Sequence, residues 1–234
     1  MVFRTLGATR LAPIFGITAL YCAVTAAAPA GAGASAPQFA VGDHWQYRIT
    51  DNLRRGAQSQ LDIEVISVTG GTARIRLRRD AGGTEWINEV DSEGGLTSGS
   101  LNGEPVRSFN PPAKLLSFPL DKGKTWRQTI DTLRKDTGVK DQILIYGKVN
   151  GPATASVPAG RFDAIAVYRT VQLDDVEFWR SRTSRTDSIW YAPAVKASVR
   201  EKREAQYTQT DSGQPQVRTE STVYELVSFQ PGGK

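Results

Sequence analysis

The segment FAVGDHWQYRI, residues 39–49, contains His44, the only histidine in this chain of 234 residues. Because the unperturbed pKa of histidine lies near neutral pH, a histidine is the first candidate for a general base. A serine hydrolase also needs a hydroxyl nucleophile beside that base, and the sequence contains no GxSxG segment. We predict that His44 is a partly exposed residue at the start of a β-strand and has no catalytic role.

Other catalytic chemistries find little support in the sequence. A single histidine cannot build a histidine-rich zinc site, and there is no GxxxxGK loop, no GxGxxG segment before a helix and no EF-hand loop. We therefore predict a protein that is not an enzyme and needs no cofactor or metal. A carboxylate pair for glycoside cleavage stays open as an alternative, because only geometry reveals such a pair. The candidate acids are Glu85, Glu89, Asp174, Asp175 and Glu177.

Two basic clusters are candidates for anion binding. Arg74, Arg76 and Arg78 alternate with apolar residues, and RSRTSR covers residues 180–185. A three-residue turn at 69–71 would set acids against the first cluster and apolar residues against each other. The facing pairs are then Val65 with Ile75, Ile63 with Leu77, Glu64 with Arg76, and Asp62 with Arg78. We predict a solvated ladder of ion pairs for the first cluster, and a loop or strand edge with charges of both signs for the second.

The N-terminal residues have the pattern of a secretory signal peptide. Arg4 and Arg10 precede an apolar run at 11–28, which is followed by the small residues GAGASA. Cys22 lies in this run, but the bulky tyrosine before it does not suit a lipoprotein cleavage site. We predict that residues 1–36 are a cleaved signal peptide and that the protein is periplasmic or secreted, without a permanent membrane anchor.

The formal net charge is +5, and the Lys and Arg residues are interspersed with Asp and Glu. Mild, scattered basicity affects solubility and does not form a nucleic-acid-binding patch. We therefore predict no nucleic-acid partner.

Apolar residues recur with a period of two along most of the chain, between turns rich in Gly and Pro, which is typical of β-strands. The predicted strands cover residues 61–68, 72–79, 83–90, 141–149, 162–173, 188–192, 196–210 and 217–229. The length suits a single domain at residues 37–230. We predict an all-β fold with a strongly curved antiparallel sheet, in the form of a half-barrel or an open barrel.

The opening segment has a second copy in FPLDKGKTWRQTI, residues 118–130. The two segments share a glycine followed three residues later by a tryptophan: Gly42 with Trp45, and Gly123 with Trp126. The position of His44 is taken by Thr125, so the motif does not need a histidine. The repeat predicts two similar halves, 39–110 and 111–230.

Two further segments mark turns and strand ends: Pro158, Gly160 and Phe162 in VPAGRF, and Trp190, Tyr191 and Pro193 in WYAP. The first proline suits the second position of a tight turn, the glycine suits its end, and the phenylalanine opens the next strand. The two aromatic residues of WYAP are expected on opposite faces of a strand, and the proline after them ends the pairing. We assign structural roles to all of these residues.

The order of GDHWQY, FPLDKGKTW, VPAGRFDAIAV, IWYAP and YELVSF resembles exported bacterial β-rich proteins assigned to domains of unknown function. The resemblance spans residues 39–229 and implies a fold, because its motifs mark turns and packing and not chemistry. Relatives often have a glycine soon after WYAP, whereas this chain reads Ala194, Val195 and Lys196. This difference leaves the turn geometry there open.

Two functions fit a curved sheet of this kind. One is a non-catalytic binding or carrier protein of the cell envelope, with a lipid-like or glycan ligand in the concave face. The other is a structural or assembly protein with a filled interior and another envelope protein as its partner. An unfilled apolar cavity would favour the first, and a packed core with an exposed aromatic patch would favour the second.

Overall fold

The computed structural model describes residues 33–80, 83–101, 106–173, 180–211 and 213–233. Within these residues, twelve antiparallel strands form one closed barrel, which confirms the all-β prediction. The strands are β1 (His44–Asp51), β2 (Ala57–Thr69), β3 (Thr72–Arg79), β4 (Glu85–Val90), β5 (Leu96–Gly99), β6 (Arg107–Ala113), β7 (Thr125–Arg134), β8 (Lys140–Val157), β9 (Gly160–Leu173), β10 (Arg180–Ala192), β11 (Ala197–Asp211) and β12 (Gln214–Gln230). A single turn of 3-10 helix, Pro193–Val195, separates β10 from β11.

The barrel closes because β1 is paired along both of its sides. From His44 to Asp51, its residues pair with β2 on one side and with β12 on the other. The prediction of a half-barrel or open barrel is therefore wrong. A strongly curved sheet with this many strands removes its two exposed edges by pairing them with each other.

Because neighbouring strands are antiparallel, the barrel has two ends with different connections. The proximal end is where β1 begins and β12 ends, and it carries the 3-10 helix and the β2–β3 turn. The distal end carries the β1–β2 turn at residues 52–56 and the β11–β12 turn. Side chains alternate between the interior and the outer surface along each strand.

The described chain contacts the barrel before the predicted domain start at residue 37. The amide of Gly33 donates to Oδ1 of Asp121 at 3.0 Å, and Ala34 forms a β-bridge with Leu120. Residues 1–32, which contain Cys22 and most of the predicted signal peptide, lie outside the described residues.

The β2–β3 hairpin has the predicted register but a different turn. All four facing pairs, from Val65 with Ile75 to Asp62 with Arg78, are present. The turn has two residues, Gly70 and Gly71, whose positive φ angles of 58° and 79° suit the tight turn that matches strand twist. Register is kept because a bulge at Ile66 adds one residue to β2.

The first basic cluster lies on the outer face of this hairpin. Arg76 forms an ion pair with Glu64, and Nε of Arg74 lies 3.4 Å from Oε1 of Glu89 on β4. These side chains are partly exposed, so the cluster forms an ion-pair ladder in contact with solvent. Arg78 lies opposite Asp62 in the register but makes no ion pair within the described residues, so Arg74 and Arg76 form this ladder.

The second basic cluster lies in a strand and not in a loop, and the prediction of a strand edge is wrong for Arg185, which lies in the interior. Residues 180–185 begin β10, which pairs with β11 from Arg180 and with β9 from Thr183. Alternation along this strand directs Thr183, Arg185 and Asp187 into the interior, where all three are buried. A charged strand is stable at this place because the interior supplies opposite charges.

The repeated segments adopt the same local geometry. Gly42 and Gly123 have φ angles of 86° and 85°, values that favour glycine. Each segment makes the same two backbone hydrogen bonds: Gly42 to the Val65 carbonyl and Val65 to the Asp43 carbonyl, and Gly123 to the Val149 carbonyl and Val149 to the Lys124 carbonyl. The division into two halves stays a prediction.

The tryptophans of the two segments differ in burial. Trp45 is 2% exposed, stacks on Phe229 with ring centres 5.4 Å apart, and donates from its indole to the Val195 carbonyl at 2.7 Å. Trp126 is only partly buried, and its indole donates to the Lys114 carbonyl at 3.0 Å. Trp45 therefore anchors the proximal core more strongly.

Candidate functional site

Five charged side chains meet inside the barrel, and we call them the ionic cluster: Arg169, Arg185, Asp187, Glu201 and Arg203. Asp187 is fully buried at its centre. Oδ2 of Asp187 lies 2.9 Å from Nε and 2.7 Å from Nη2 of Arg169, and Oδ1 lies 3.0 Å from Nε of Arg185. Oε1 of Glu201 accepts from Arg169 at 3.1 Å and from Arg203 at 2.9 Å. Three cations therefore share two anions.

Strand register brings these groups together. Asp187 on β10 lies opposite Arg169 on β9 and opposite Arg203 on β11. Directly opposed side chains in antiparallel strands have Cβ atoms about 5 Å apart, within reach of an ion pair. The cluster is therefore a property of three consecutive strands.

Both acids of the cluster are ionised. Burial would raise the pKa of Asp187, but the neighbouring arginines, Arg185 first, hold it below its usual range. Burial would likewise raise the pKa of Glu201, but Arg203 and then Arg169 lower it. A general acid for glycoside cleavage needs a raised pKa, so neither carboxyl suits that role.

Two adjoining cavities remain beside the ionic cluster. The apolar cavity has a volume of about 230 Å³. Its apolar wall consists of Leu61, Ile63, Leu77, Trp86, Leu101 and Leu115. The charged cavity has a volume of about 240 Å³ and extends to Arg54 in the distal β1–β2 turn. Arg79, Arg203 and Tyr224 line both cavities, so the two spaces meet at these side chains.

Two buried donors beside the apolar cavity have no acceptor. Nε of Arg79 and Nε1 of Trp86 are both buried and make no hydrogen bond within the described part of the chain. Arg203, by contrast, donates to the Tyr224 hydroxyl at 3.3 Å as well as to Glu201. Buried donors are usually paired, so the Arg79 and Trp86 nitrogens are donors that a group entering the cavity could use.

The acids proposed for hydrolysis do not form a site among the described residues. Glu85 is exposed on β4, and Glu89 on the same strand pairs with Arg74 on the outer face. The other three candidate acids lie outside the described residues.

His44 opens β1, as the sequence predicted, and its side chain is 27% exposed. Its Nε2 lies 3.6 Å from Oδ1 of Asp62 on the neighbouring strand. The residue with the extensive interactions is its neighbour Asp43, which is fully buried. Asp43 accepts from Nζ of Lys196 at 2.7 and 3.0 Å, and from the amides of Ala40 at 2.8 Å and Gly232 at 2.9 Å.

The contact with Asp43 accounts for the lysine that follows the WYAP segment. Lys196 has a φ of 58°, a left-handed conformation that favours glycine and costs other residues about 1–2 kcal/mol. It closes the 3-10 helix with a hydrogen bond from its amide to the Pro193 carbonyl. Because its Nζ binds Asp43, the side chain offsets the cost of the backbone conformation.

We expect Asp43→Asn to destabilise the fold by about 2 kcal/mol at neutral pH, through loss of charge-assisted hydrogen bonds. Burial would raise the pKa of Asp43, but hydrogen bonds from Lys196, Ala40 and Gly232 lower it below its ordinary value of 3.8. A lowered pKa stabilises the fold above the unfolded pKa, and this contribution is lost as pH falls through the folded pKa. The difference between parent and variant in urea denaturation should therefore persist from pH 7 to about 5 and shrink below about 4. A difference that does not change with pH would contradict this assignment.

The structural motif residues lie away from the two cavities. Pro158 forms the β8–β9 turn between Val157 and Gly160, and the amide of Ala159 donates to the Leu226 carbonyl at 3.0 Å. Phe162 packs against the core cluster that contains Trp45.

The WYAP residues have different surroundings. Tyr191 is buried with its ring centre 5.3 Å from that of Phe118, and burial raises its pKa to about 12. Trp190 is partly buried, with the Arg200 guanidinium 5.5 Å from its ring centre. Pro193 begins the 3-10 helix after the last residue of β10.

The sequence interpretation did not identify the residues around the cavities. Their signal is present in VREKREA, residues 199–205, where charged residues occupy both sets of alternating positions. A strand with one solvated face needs charges on that face only, so charges at Glu201 and Arg203 as well as at Lys202 and Glu204 indicate a polar interior.

In the described ranges, no group of three or more His, Cys, Asp or Glu side chains could hold a metal ion. No helix within the same ranges has the length and apolar character needed to cross a membrane.

Three solved structures are similar to this chain, and one of them has a TM-score above 0.5. A candidate lipoprotein from Parabacteroides distasonis superposes with a TM-score of 0.51 at 13% identity, over 85% of this chain and 99% of that one. A candidate exported protein with a YmcC-like fold from Bacteroides fragilis gives a TM-score of 0.45 at 12% identity, covering 85% and 99% of the two chains. The hypothetical lipoprotein YmcC of Escherichia coli gives 0.41 at 10% identity, covering 81% and 85%.

No protein-family model and no curated protein matches the sequence. The resemblance in motifs described above therefore stays a prediction. At this level of identity, the Parabacteroides distasonis structure supports a common fold alone.

Proposed function

We propose that this protein is a non-catalytic binding protein of the cell envelope whose barrel holds a lipid-like ligand in the apolar cavity. The observation that carries this proposal is the cavity itself, which remains in an interior otherwise filled by three apolar clusters and the ionic cluster. Small-molecule sites are typically concave, mainly apolar and supplied with a few polar groups. The leucines, Trp86 and Arg79 around this cavity match that description.

The alternative of an assembly protein with a filled core receives less support. Among the described residues, the exposed large aromatic side chains are Tyr146 and Tyr168, on the neighbouring strands β8 and β9. The other large apolar residues that are exposed are valines and one leucine at separate places. Scattered exposed apolar residues are normal on a soluble protein and do not define an interface.

A glycan ligand is also less well supported. The outer surface has a cleft of about 480 Å³ whose lining includes the polar side chains of Gln46 and Gln60 beside Pro158. However, the amide nitrogens of Gln46 and Gln60 are already bound to Asp62, at 3.1 Å and at 3.2–3.3 Å. These groups would have to give up existing hydrogen bonds to recognise sugar hydroxyls.

The envelope location rests on the signal-peptide pattern of residues 1–36. The shared fold with a candidate lipoprotein from Parabacteroides distasonis is consistent with it. These two observations support a periplasmic or secreted location.

The experiment is titration of the protein with Nile red, a neutral dye that fluoresces in apolar surroundings. We expect saturable binding, and we expect Leu77→Phe to weaken it at least about tenfold because the larger ring fills the cavity. Val217→Phe is the matched control, because it adds a ring where the side chain is 72% exposed. Equal dye binding by both variants and the parent would place the dye on the surface, and no saturable binding by the parent would contradict the proposal.

A further inference from the structure

We infer that the ligand carries a single acidic head group and that Arg79 binds it. This inference rests on the proposed binding of a lipid-like ligand and specifies its chemical class. The apolar part would lie in the apolar cavity, and the head would lie where the two cavities meet.

Arg79 is placed for this role by the alternation of β3. It lies two residues after Leu77, so both side chains face the interior, whereas Arg78 between them is exposed. Arg79 lines the apolar cavity and the charged cavity. A group bound to its guanidinium can therefore contact both spaces.

The guanidinium of Arg79 differs from those of the ionic cluster in having no acid partner. Arg169 and Arg185 bind Asp187, and Arg203 binds Glu201. Arg79 makes no ion pair and no side-chain hydrogen bond with any residue of the described ranges, and its Nε is buried. A buried or half-buried cation without a counter-charge is unfavourable, so an anion that enters the cavity gains a strong interaction.

The balance of charges around the charged cavity also favours an anion. Its ionisable wall consists of Arg54, Arg79, Arg185, Arg203, Asp51 and Glu220. Three of the four arginines already have an acid partner: Nε of Arg54 lies 3.6 Å from Oδ2 of Asp51, and Arg185 and Arg203 are paired with Asp187 and Glu201. An entering anion would therefore meet the one positive charge of this wall that has no acid partner among the described residues, in a confined, low-dielectric space.

The planar guanidinium of Arg79 favours an acidic head group over a neutral one. Its paired N–H donors match two oxygens of a carboxylate or of a phosphate monoester, whereas an alcohol offers a single neutral oxygen. Only one unpaired arginine is found among the described residues at the junction, so one head group is expected per protein.

The test is displacement of bound Nile red by three ligands with the same ten-carbon chain: decanoic acid, decyl phosphate and decanol. We expect one or both acids to displace the dye at about 10- to 100-fold lower concentration than decanol does. Comparison of decanoic acid with decyl phosphate shows whether the site prefers a carboxylate or a phosphate head group.

The variants are Arg79→Met, which removes the charge and keeps the length, and the neighbouring Arg78→Met as its control. We expect Arg79→Met to reduce the advantage of the acids over decanol about 10- to 100-fold, with each ligand measured against the variant's own Nile red affinity, and Arg78→Met to behave like the parent. Circular dichroism melts of both variants check that they are folded.

The outcomes separate this inference from the proposed function. If Nile red binds and all three ligands compete equally, or if Arg79→Met leaves the acids unaffected, the barrel binds lipid-like molecules but the acidic head is wrong. If Nile red does not bind the parent saturably, the proposed function fails as well. If Arg78→Met weakens binding of the acids as much as Arg79→Met does, the acids bind the outer ladder and the inference is overturned.

Discussion

Replacement of Asp187 by alanine is expected to lower the free energy of unfolding by about 3–5 kcal/mol. Asp187 is fully buried and contacts Arg169 and Arg185 directly. Without it, Glu201 would be the only acid of the ionic cluster among three arginines. Removing one partner of a buried ion pair is costly because the other charge stays buried without compensation. Urea denaturation of parent and variant measures the difference.

The matched control is Glu204→Ala on β11. Glu204 also forms an ion pair, with Lys202 at 2.9 Å, but both side chains are about half exposed. Exposed pairs contribute little, so this variant should lie within about 0.5 kcal/mol of the parent. If Asp187→Ala is no more destabilising than Glu204→Ala, water reaches the ionic cluster and the interior is more open than its packing indicates.

The part of the fold that the sequence predicts best is the part that local patterns determine. In the β2–β3 hairpin, apolar residues must face apolar ones and Glu64 must face Arg76, and a slip by one residue would reverse every side chain. This requirement fixed the register even though the turn has two residues and not three. The bulge at Ile66 makes up for the shorter turn by adding one residue to β2. The pattern of charges in the sequence does not reveal this bulge.

Closure of the barrel depends on a contact that local patterns do not contain. β1 and β12 lie at opposite ends of the described strands, and their pairing needs the accumulated curvature of all the strands between them. β5 and β6 were not predicted because they are short, and β6 includes two consecutive prolines. Prolines are unusual in a strand, so sequence reasoning places such a segment in a loop.

The candidate site was missed because its residues break the rule that identified the strands. Strands were recognised by an apolar interior face, whereas Arg185, Asp187, Glu201 and Arg203 occupy interior positions. The basic segment RSRTSR was therefore predicted to lie at the protein surface. Departures from an otherwise consistent pattern are expected at functional sites. Here the departure is the set of charged residues at interior positions, and these residues lie beside both cavities.

Replacement of Trp45 by alanine is expected to destabilise the fold by about 3–5 kcal/mol, because it leaves a large cavity in the proximal core. The ring packs against Phe39 at 6.1 Å and Phe229 at 5.4 Å between ring centres. The variant also removes the indole donor that binds the Val195 carbonyl at 2.7 Å, beside the 3-10 helix. Thermal and urea melts should show the loss, without a change in the Nile red affinity of the molecules that remain folded.

Two variants of the same repeated segments serve as comparisons with Trp45→Ala. Trp126→Ala should cost less, because that ring is only partly buried and its hydrogen bond to Lys114 lies near solvent. His44→Thr, which introduces the residue found at position 125, should stay within about 0.5 kcal/mol of the parent and bind ligand normally. If His44→Thr melts like the parent but loses ligand binding, the histidine has a functional role after all. If Trp45→Ala melts like the parent, the proximal core does not depend on this ring, and the glycine-to-tryptophan motif is a surface feature that a partner protein would recognise.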